Sequence, residues 1–504
     1  MQLLNKTKDI EGMSGKVEQR SKMTMAEFAK LSRERADSYH RYHIDAKETV
    51  DRQALPNRFI VKVGKIGLAK LIAKEVFQYW GKWDVIFSRP CTYGVFSGPV
   101  GGFSPRPEMC VGCLRCTVQH PDFVTVEHNP ARVELGDSYL NSKIISTIDE
   151  EARKGTVPVR GQGYRGRFGG PGWDEMFTDM SEIVRPSRDG IHGRELISTV
   201  VDIGSKPMSL KFDNDGKLVS QGPKMISIQV PFIFDSPPDH IMTPRLAKIW
   251  KNAADEIDTL AMLPARIVLS NNLIGKSVVP IIPLDSSISL DEFQSGTRMV
   301  ELENWDHEVF TTYRENAPDL IIGVRLPLTT GWQQRFVEMV NVGVSVVHFV
   351  ADNHGLGDGG RFIMDILLEA HNLLIELGMR DKITLLNSGG VVAADHLPKA
   401  IICGLDAVCL DLPLLVAIQS RLSGDLSDRD GYNAKMPRKF KDDWATQRLV
   451  NLSCSWRDQM LEILGAMGIR EVRRLRGEVG RAMWCSRLEE EAFAEIEGFT
   501  GGGK

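Results

Sequence analysis

The sequence has no run of about 18 uncharged apolar residues, the length a membrane-spanning helix needs. Its best apolar runs, such as VSVVHFVA, are strand-sized, and no membrane span is expected. The first 55 residues carry charges throughout and lack the apolar core of a secretory signal, which makes a cytoplasmic location the expectation. No sign of charge dominates either: 62 Lys and Arg stand against 66 Asp and Glu, for a net charge of -4. A chain so balanced has no basic footprint for a dedicated nucleic-acid binder. Cysteine is scarce, 8 in 504 residues, too few for a disulfide scaffold. Three of the eight nevertheless crowd into the run CVGCLRC.

What is present is an ordinary globular composition, 42% hydrophobic and 25% charged, in a chain long enough for several domains or one large barrel with extensions. Punctuation and period divide it into a charged N-terminal arm over 1–55, a ferredoxin-like module over 56–150 and a Gly- and Arg-rich connector over 151–224. A barrel over 225–470 and a C-terminal helical tail over 471–504 complete the chain. From 225 onward, short β-rich apolar runs alternate with helical segments, the pattern of parallel βα units. Eight candidate strands are legible: MISIQVPFIF, ARIVLS, VVPII, RMVELE, DLIIGVRL, SVVHFVA, KITLLN and DAVCLD. The expected fold is an α/β, (βα)8 TIM-type barrel with an N-terminal iron-sulfur module and C-terminal helices.

Cys110, Cys113 and Cys116 stand at C-x2-C-x2-C, the spacing with which one loop wraps three corners of an iron-sulfur cube. Zinc is the rival, although structural zinc ordinarily draws paired ligands from two separated knuckles. The slot of the usual fourth cysteine before proline holds His120, so the fourth ligand is assigned to Cys91, the nearest thiol upstream. GQGYRG matches a dinucleotide fingerprint in letters, but no strand precedes it and no amphipathic helix comes after it, so it reads as a loop. In LNSGGVVAADHL, Gly389 and Gly390 come after a strand and open a helix whose backbone N–H groups suit a phosphate; a tight turn that needs glycine is the equal alternative. Arg325 is the one charge in IIGVRLPL and requires a buried carboxylate or an anionic ligand. The loop ADNHGLGDGG offers Asp352, Asn353, His354 and Asp358 at the end of the barrel where active sites lie, as a site or as a tight turn.

On these residues the chain resembles the FMN-binding barrel domain of the glutamate synthase family, in particular short archaeal-type proteins that join ferredoxin-like cysteines to that domain. The segment HNLLIELGMRDKITLLNSGGVVAADHLPKAIICGLDAVCLDLPLLVAI is similar to the family's stretch through its Gly-Gly phosphate loop. GVRLPL and DNHGLGDGG resemble its Val-Lys-Leu strand and its Gly-rich loop. Ser388 stands where the family has Asp, Arg325 where it has Lys, and Asp411 within its last-strand Gly-Thr region. The family's Gly-Glu-Gly-Gly segments have no counterpart.

The resemblance implies an FMN oxidoreductase acting on CH-NH2 donors and exchanging electrons with a 4Fe-4S cluster on Cys91, Cys110, Cys113 and Cys116. In it Arg325 faces the reduced flavin, Ser388, Gly389, Gly390 and Asp411 lie at the phosphate, Asn353 contacts the cofactor, and His354 and Asp358 contact substrate. The alternative is a flavin-less electron relay or scaffold in a larger redox complex. Both imply a hetero-oligomer with a redox partner, either an NAD(P)H-oxidising flavoprotein subunit or a ferredoxin.

Overall fold

The computed structural model describes residues 44–83, 91–97, 101–157, 170–178, 197–205, 212–217, 219, 224–284, 288–293 and 296–498. The arm up to residue 43, the GQGYRG loop and most of the Gly- and Arg-rich connector lie outside the described residues. Residues 46–504 form one compact unit, to which every described helix and strand belongs.

The N-terminal part of this unit pairs β1 (Phe59–Val63) antiparallel with β2 (Val124–His128). Between them run α1 (Lys65–Gln78) and α2 (Arg115–Gln119). A third helix, α3 (Ser142–Lys154), starts where the Asn141 side chain accepts hydrogen bonds from the N–H groups of Lys143 and Ile144. It buries Ile144, Ile145, Ile148 and Ala152 along one stripe.

Eight strands close a parallel barrel in chain order: β6 (Phe232–Phe234), β7 (Ala261–Pro264), β8 (Val278–Ile282), β9 (Met299–Leu302), β10 (Ile321–Pro327), β11 (Val346–Val350), β12 (Thr384–Ser388) and β13 (Ala407–Leu410). Closure comes from β13 on β6, with Val408, Cys409 and Leu410 opposite Phe232, Ile233 and Phe234. Strands covered on both faces must be apolar on both, which is why VVPII is buried at every position. The crossover helices are amphipathic. In α4 (Pro244–Ile257), Leu246, Ile249, Trp250, Ala253 and Ile257 line the buried stripe, and the Thr243 side chain caps the start. The expected (βα)8 barrel is therefore present.

Two expected strands are corrected. ARIVLS is α5 (Ala265–Ser270); the second strand is the AMLP just before it. MISIQVPFIF divides, because Met225–Ile228 (β5) pairs antiparallel with β4 (Val201–Gly204), leaving Phe232–Phe234 to the barrel. This β4–β5 ribbon meets the start of β12, where Thr384 and Gly204 exchange hydrogen bonds of 3.0 and 2.9 Å. Further crossovers are α6 (His307–Asn316), α7 (Trp332–Val342) and α8 (Ile363–Glu376), the last formed by the apolar-faced segment GGRFIMDILLEAHNLLIELG.

Helix α9 (His396–Ile402) links β12 to β13, and α10 (Leu412–Ala417) comes after β13. A hairpin of β14 (Arg421–Gly424) and β15 (Tyr432–Lys435) is next. The 25-residue α11 (Asp442–Ala466) then packs across α3 and α4. Trp456 of α11 donates to buried Glu151 of α3 at 2.8 Å. In the tail, Ala482–Trp484 pairs with β3 (Met176–Thr178) and leads into the helix Cys485–Phe493. No helix among the described residues is long and apolar enough to cross a membrane.

Candidate functional site

Each barrel strand is apolar along its length, and several carry one polar group toward the C-terminal end. Those groups meet. Arg325 on β10 donates from Nε to Glu301 Oε2 on β9 at 2.6 Å and from Nη2 to Asp235, which directly follows β6. The other oxygen of Glu301 faces Nδ1 of His348 on β11 at 2.8 Å. His348 Nε2 lies 2.6 Å from Ser388 Oγ, and that hydroxyl donates to Asp235 Oδ2 at 2.6 Å. The five side chains form a closed ring across five strands. Ser388 Oγ and Glu301 Oε1 thus hold the two ring nitrogens of His348, one from each side.

Burial alone pushes the carboxyl of Asp235 up, but the charges of Arg325, His348 and Arg429 outweigh it and hold Asp235 well below the usual carboxylate range. Glu301 is lowered in the same way, against its own burial, by Arg325 and His348. Desolvation works against the charge of Arg325, and the two carboxylates more than reverse it. The need of Arg325 for a buried carboxylate or an anionic ligand is thus met from within, by two carboxylates.

A second layer comes from the β14–β15 hairpin. Arg429 Nη2 reaches Asp411 Oδ2 at 2.8 Å and Asp235 Oδ2 at 3.4 Å. Asn353 donates from its backbone to Ser427 O and from Nδ2 to Asp428 O. His240 Nε2 lies 2.8 Å from Tyr432 O, and Tyr432 is fully buried. The hairpin therefore sits on the strand ends and is tied to three of the loops there.

The residues assigned to an FMN phosphate are engaged elsewhere. Gly390 N–H donates to Asn353 O, and Gly390 O accepts from Tyr139 Oη at 2.6 Å. Gly389, at φ +94°, lets the chain pass so close to Asp352 that a Cβ would stand 2.1 Å from its carbonyl oxygen. The helix expected to open at these glycines begins only at His396, behind Asp395. Asp411 caps α10 by accepting from Leu412 N–H at 2.6 Å, so a carboxylate already holds that helix start. Burial raises the Asp411 carboxyl, and Arg429 opposes the rise. Ser388, Gly390 and Asp411 are thus hydrogen-bonded within the protein in this arrangement.

The two residues assigned to substrate have local partners away from the ring. His354 Nε2 pairs with Asp137 Oδ2 at 2.6 Å and stacks near Tyr139, joining the N-terminal part to the barrel loops. Asp358 accepts from Thr330 Oγ1 at 2.8 Å on the exposed side of its loop. Asp235, Glu301, His348 and Arg429 escaped the sequence reading. The signal that singled out Arg325, one charge inside an apolar strand, also marks Glu301 in MVEL and His348 in VVHFV.

The cysteines gather in the N-terminal part. Cys91, Cys110 and Cys116 pack against one small core of Val61, Val95, Phe96 and Val124, and Cys113 is exposed beside them. Gly112 takes φ +75° with Phe59 against its Cα, so a Cβ there would strike the ring. This turn directs the Gly112 N–H at the Cys110 sulfur, and the Thr117 N–H bonds the Cys116 sulfur. Burial pushes both thiols up, and neighbouring sulfurs, Cys91 and Cys113 among them, add to the rise for Cys110. A positive metal centre would remove that cost.

Among the described residues, the one trio of ligand-type groups lying within 4.8 Å of one another is Asp174, Asp395 and His396. No three of the four cysteine sulfurs come that close, whereas a single tetrahedral zinc with bonds of about 2.3 Å draws its sulfurs to about 3.8 Å. A cube, whose ligands sit on different irons, holds them wider apart. Four thiols gathered about one small core are the donor type that an iron-sulfur centre takes.

Fold and cysteines together define a parallel α/β barrel protein with a cysteine-rich N-terminal module. Its sequence is similar to those of archaeal-type glutamate synthases. The chain is 21% identical to the archaeal-type glutamate synthase [NADPH] of Dehalococcoides mccartyi, over 74% of its own length and 86% of the relative's. It is 22% identical to the archaeal glutamate synthase [NADPH] of Archaeoglobus fulgidus, over 73% and 84%. No family model matches. Among solved structures, a mutant flavocytochrome b2 with pyruvate bound aligns at a TM-score of 0.39 and 14% identity, covering 65% of this chain and 79% of that one. That likeness is too slight to bear on function.

Proposed function

We propose that this glutamate synthase-related protein is an iron-sulfur electron-relay subunit whose barrel mouth is closed by its own side chains. The observation that carries the reading is the pairing of the charged groups at the strand ends: Arg325 with Asp235 and Glu301, and Arg429 with Asp411 and Asp235. When bound, a 4Fe-4S cluster supplies one-electron transfer. Cys91, Cys110, Cys113 and Cys116 would hold it as thiolates, with the N–H groups of Gly112 and Thr117 offsetting negative charge on sulfur. The barrel's part is then to position this module in a larger redox complex.

A second reading, an FMN-loaded oxidoreductase, draws support from the relationship to glutamate synthases and from four buried polar atoms with no hydrogen-bond partner. These are Asn353 Oδ1, Asn387 Oδ1, Arg429 Nη1 and Tyr432 Oη. A ligand admitted by movement of the hairpin would satisfy them.

The visible spectrum of protein purified without oxygen separates the two. The relay shows a broad iron-sulfur shoulder alone and the flavoprotein adds flavin bands. A colourless, zinc-containing sample removes both. Cys113→Ser bleaches the shoulder under either reading.

A further inference from the structure

Helix α1 is apolar on two sides. Leu68 is buried, with Gly102 beneath it and Gly67 against Phe123. On the opposite side Ile66, Ala69, Ala73 and Phe77 succeed one another at helical spacing, and Trp80 comes just past the helix end; Phe77 is 89% exposed and Trp80 75%. An exposed apolar stripe of this kind marks an interaction site.

The surroundings say what covers it. A groove of about 770 Å³ adjoins this stripe, sharing Ile66 with it, and is lined by Lys65, Lys70, Leu71 and Lys74 of the helix and by Asp122 and Phe123. None of the three lysines forms an ion pair with a described residue. The groove is therefore lined by Ile66, Leu71 and Phe123 and edged by three lysines against one carboxylate, a net positive lining that suits an acidic surface with an apolar centre. Phe123 is common to two places: it lines the groove and also packs on the core that carries Cys91, Cys110 and Cys116. A protein seated in the groove is separated from those sulfurs by Phe123 and the small core on which it and the cysteines pack.

We infer that the groove and the exposed face of α1 are the docking surface for an acidic one-electron carrier protein, which exchanges electrons with the centre on the four cysteines. The inference rests on the iron-sulfur reading of those cysteines. In the transfer the reduced carrier gives up one electron and the cluster gains it, with no bond made or broken. A lipid surface is the less apt occupant, since a concave site suits a protruding protein segment better than a flat headgroup layer.

The test uses the full chain purified without oxygen, with a reduced acidic [2Fe-2S] ferredoxin as probe. Lys70→Glu with Lys74→Glu, and separately Phe77→Ala with Trp80→Ala, alter exposed positions and leave the fold in place. The expected result is a fall of about tenfold or more in ferredoxin affinity by calorimetry and in the rate of cluster reduction, with the wild-type rate declining as salt rises. Reduction by dithionite, which needs no docking, stays unchanged. Equal ferredoxin binding by variant and wild type, no binding by wild type, or binding of these residues to phosphatidylglycerol vesicles in its place overturns the inference. A chain without iron defeats the iron-sulfur reading, while calorimetry still decides the surface.

Discussion

Arg325 keeps 12% of its side chain exposed while the carboxylates on either side of it, Asp235 and Glu301, keep none. Removing the guanidinium leaves two buried carboxylates facing each other across the ring. Arg325→Met is expected to cost about 3–5 kcal/mol in urea unfolding, the usual penalty for breaking a buried pair from one side. Adding Glu301→Gln to it should recover part of that loss, because one of the stranded charges is gone; a double variant no more stable than the single would show that the ring is not an electrostatic unit. A different sign governs His371. Burial first, then Arg380 and Arg476, push its imidazole down to about 4 from an ordinary 6.5, and Arg380 Nε donates to its neutral Nδ1 at 3.0 Å. Between those values the unfolded chain takes up a proton that the folded chain refuses. The contribution is therefore intact above about pH 6.5 and is lost as pH falls toward about 4. The wild type is expected to lose about 2 kcal/mol more than His371→Gln between about pH 7 and about pH 5. Parallel pH profiles for the two proteins would exclude this histidine as the source.

At the scale of elements, the loop after β12 is where the sequence reading and the structure part. Gly389 is shaped by a neighbour distant in sequence, the carbonyl of Asp352, and nothing in LNSGG discloses that approach. Gly389→Ala combines a strained positive φ with that clash and should destabilise by more than the ~1 kcal/mol of an ordinary backbone penalty; a thermal midpoint within a degree or two of wild type would mean the loop moves freely. Most barrel strands were legible because a parallel strand covered on both faces is a continuous apolar run. The second was misplaced by one element: ARIVLS and AMLP are both short and apolar, and period cannot tell a buried strand from a buried helical turn. The first was overextended, since Met225–Ile228 has strand character but pairs with β4 outside the barrel. At the mouth, Arg325 was found from its isolation in an apolar strand, whereas the hairpin residue Arg429 lies in DLSDRDGYNAK, a stretch whose polarity gives no hint that it folds inward.

The whole chain joins a cysteine module to a barrel, and the joint is small and polar on the loop side. Tyr139 donates to Gly390 O at 2.6 Å, and Asp137 accepts from His354 while also bonding the N–H groups of Tyr139 and Leu140. Burial raises the phenol of Tyr139 well above its ordinary range, so it stays a neutral donor at any working pH. Farther along, α3 is held more firmly, through Trp456 and Gln459 to Glu151 and through Arg448 to Asp149. The two attachments separate two kinds of opening. Tyr139→Phe with His354→Ala removes the polar joint and leaves α3 in place. Hydrogen exchange in β1 and β2 should then quicken by about tenfold, equivalent to about 1.4 kcal/mol of local opening, with β8 and β9 unchanged. Breaking the Trp456–Glu151 bond with Trp456→Phe should instead lower protection in α3, α4 and α11 together, because the long helix spans both partners. If the first variant loosened the barrel strands as much as β1 and β2, module and barrel would be one cooperative unit, and a carrier docked on α1 would be bound to the barrel as rigidly as to the cysteines beside it.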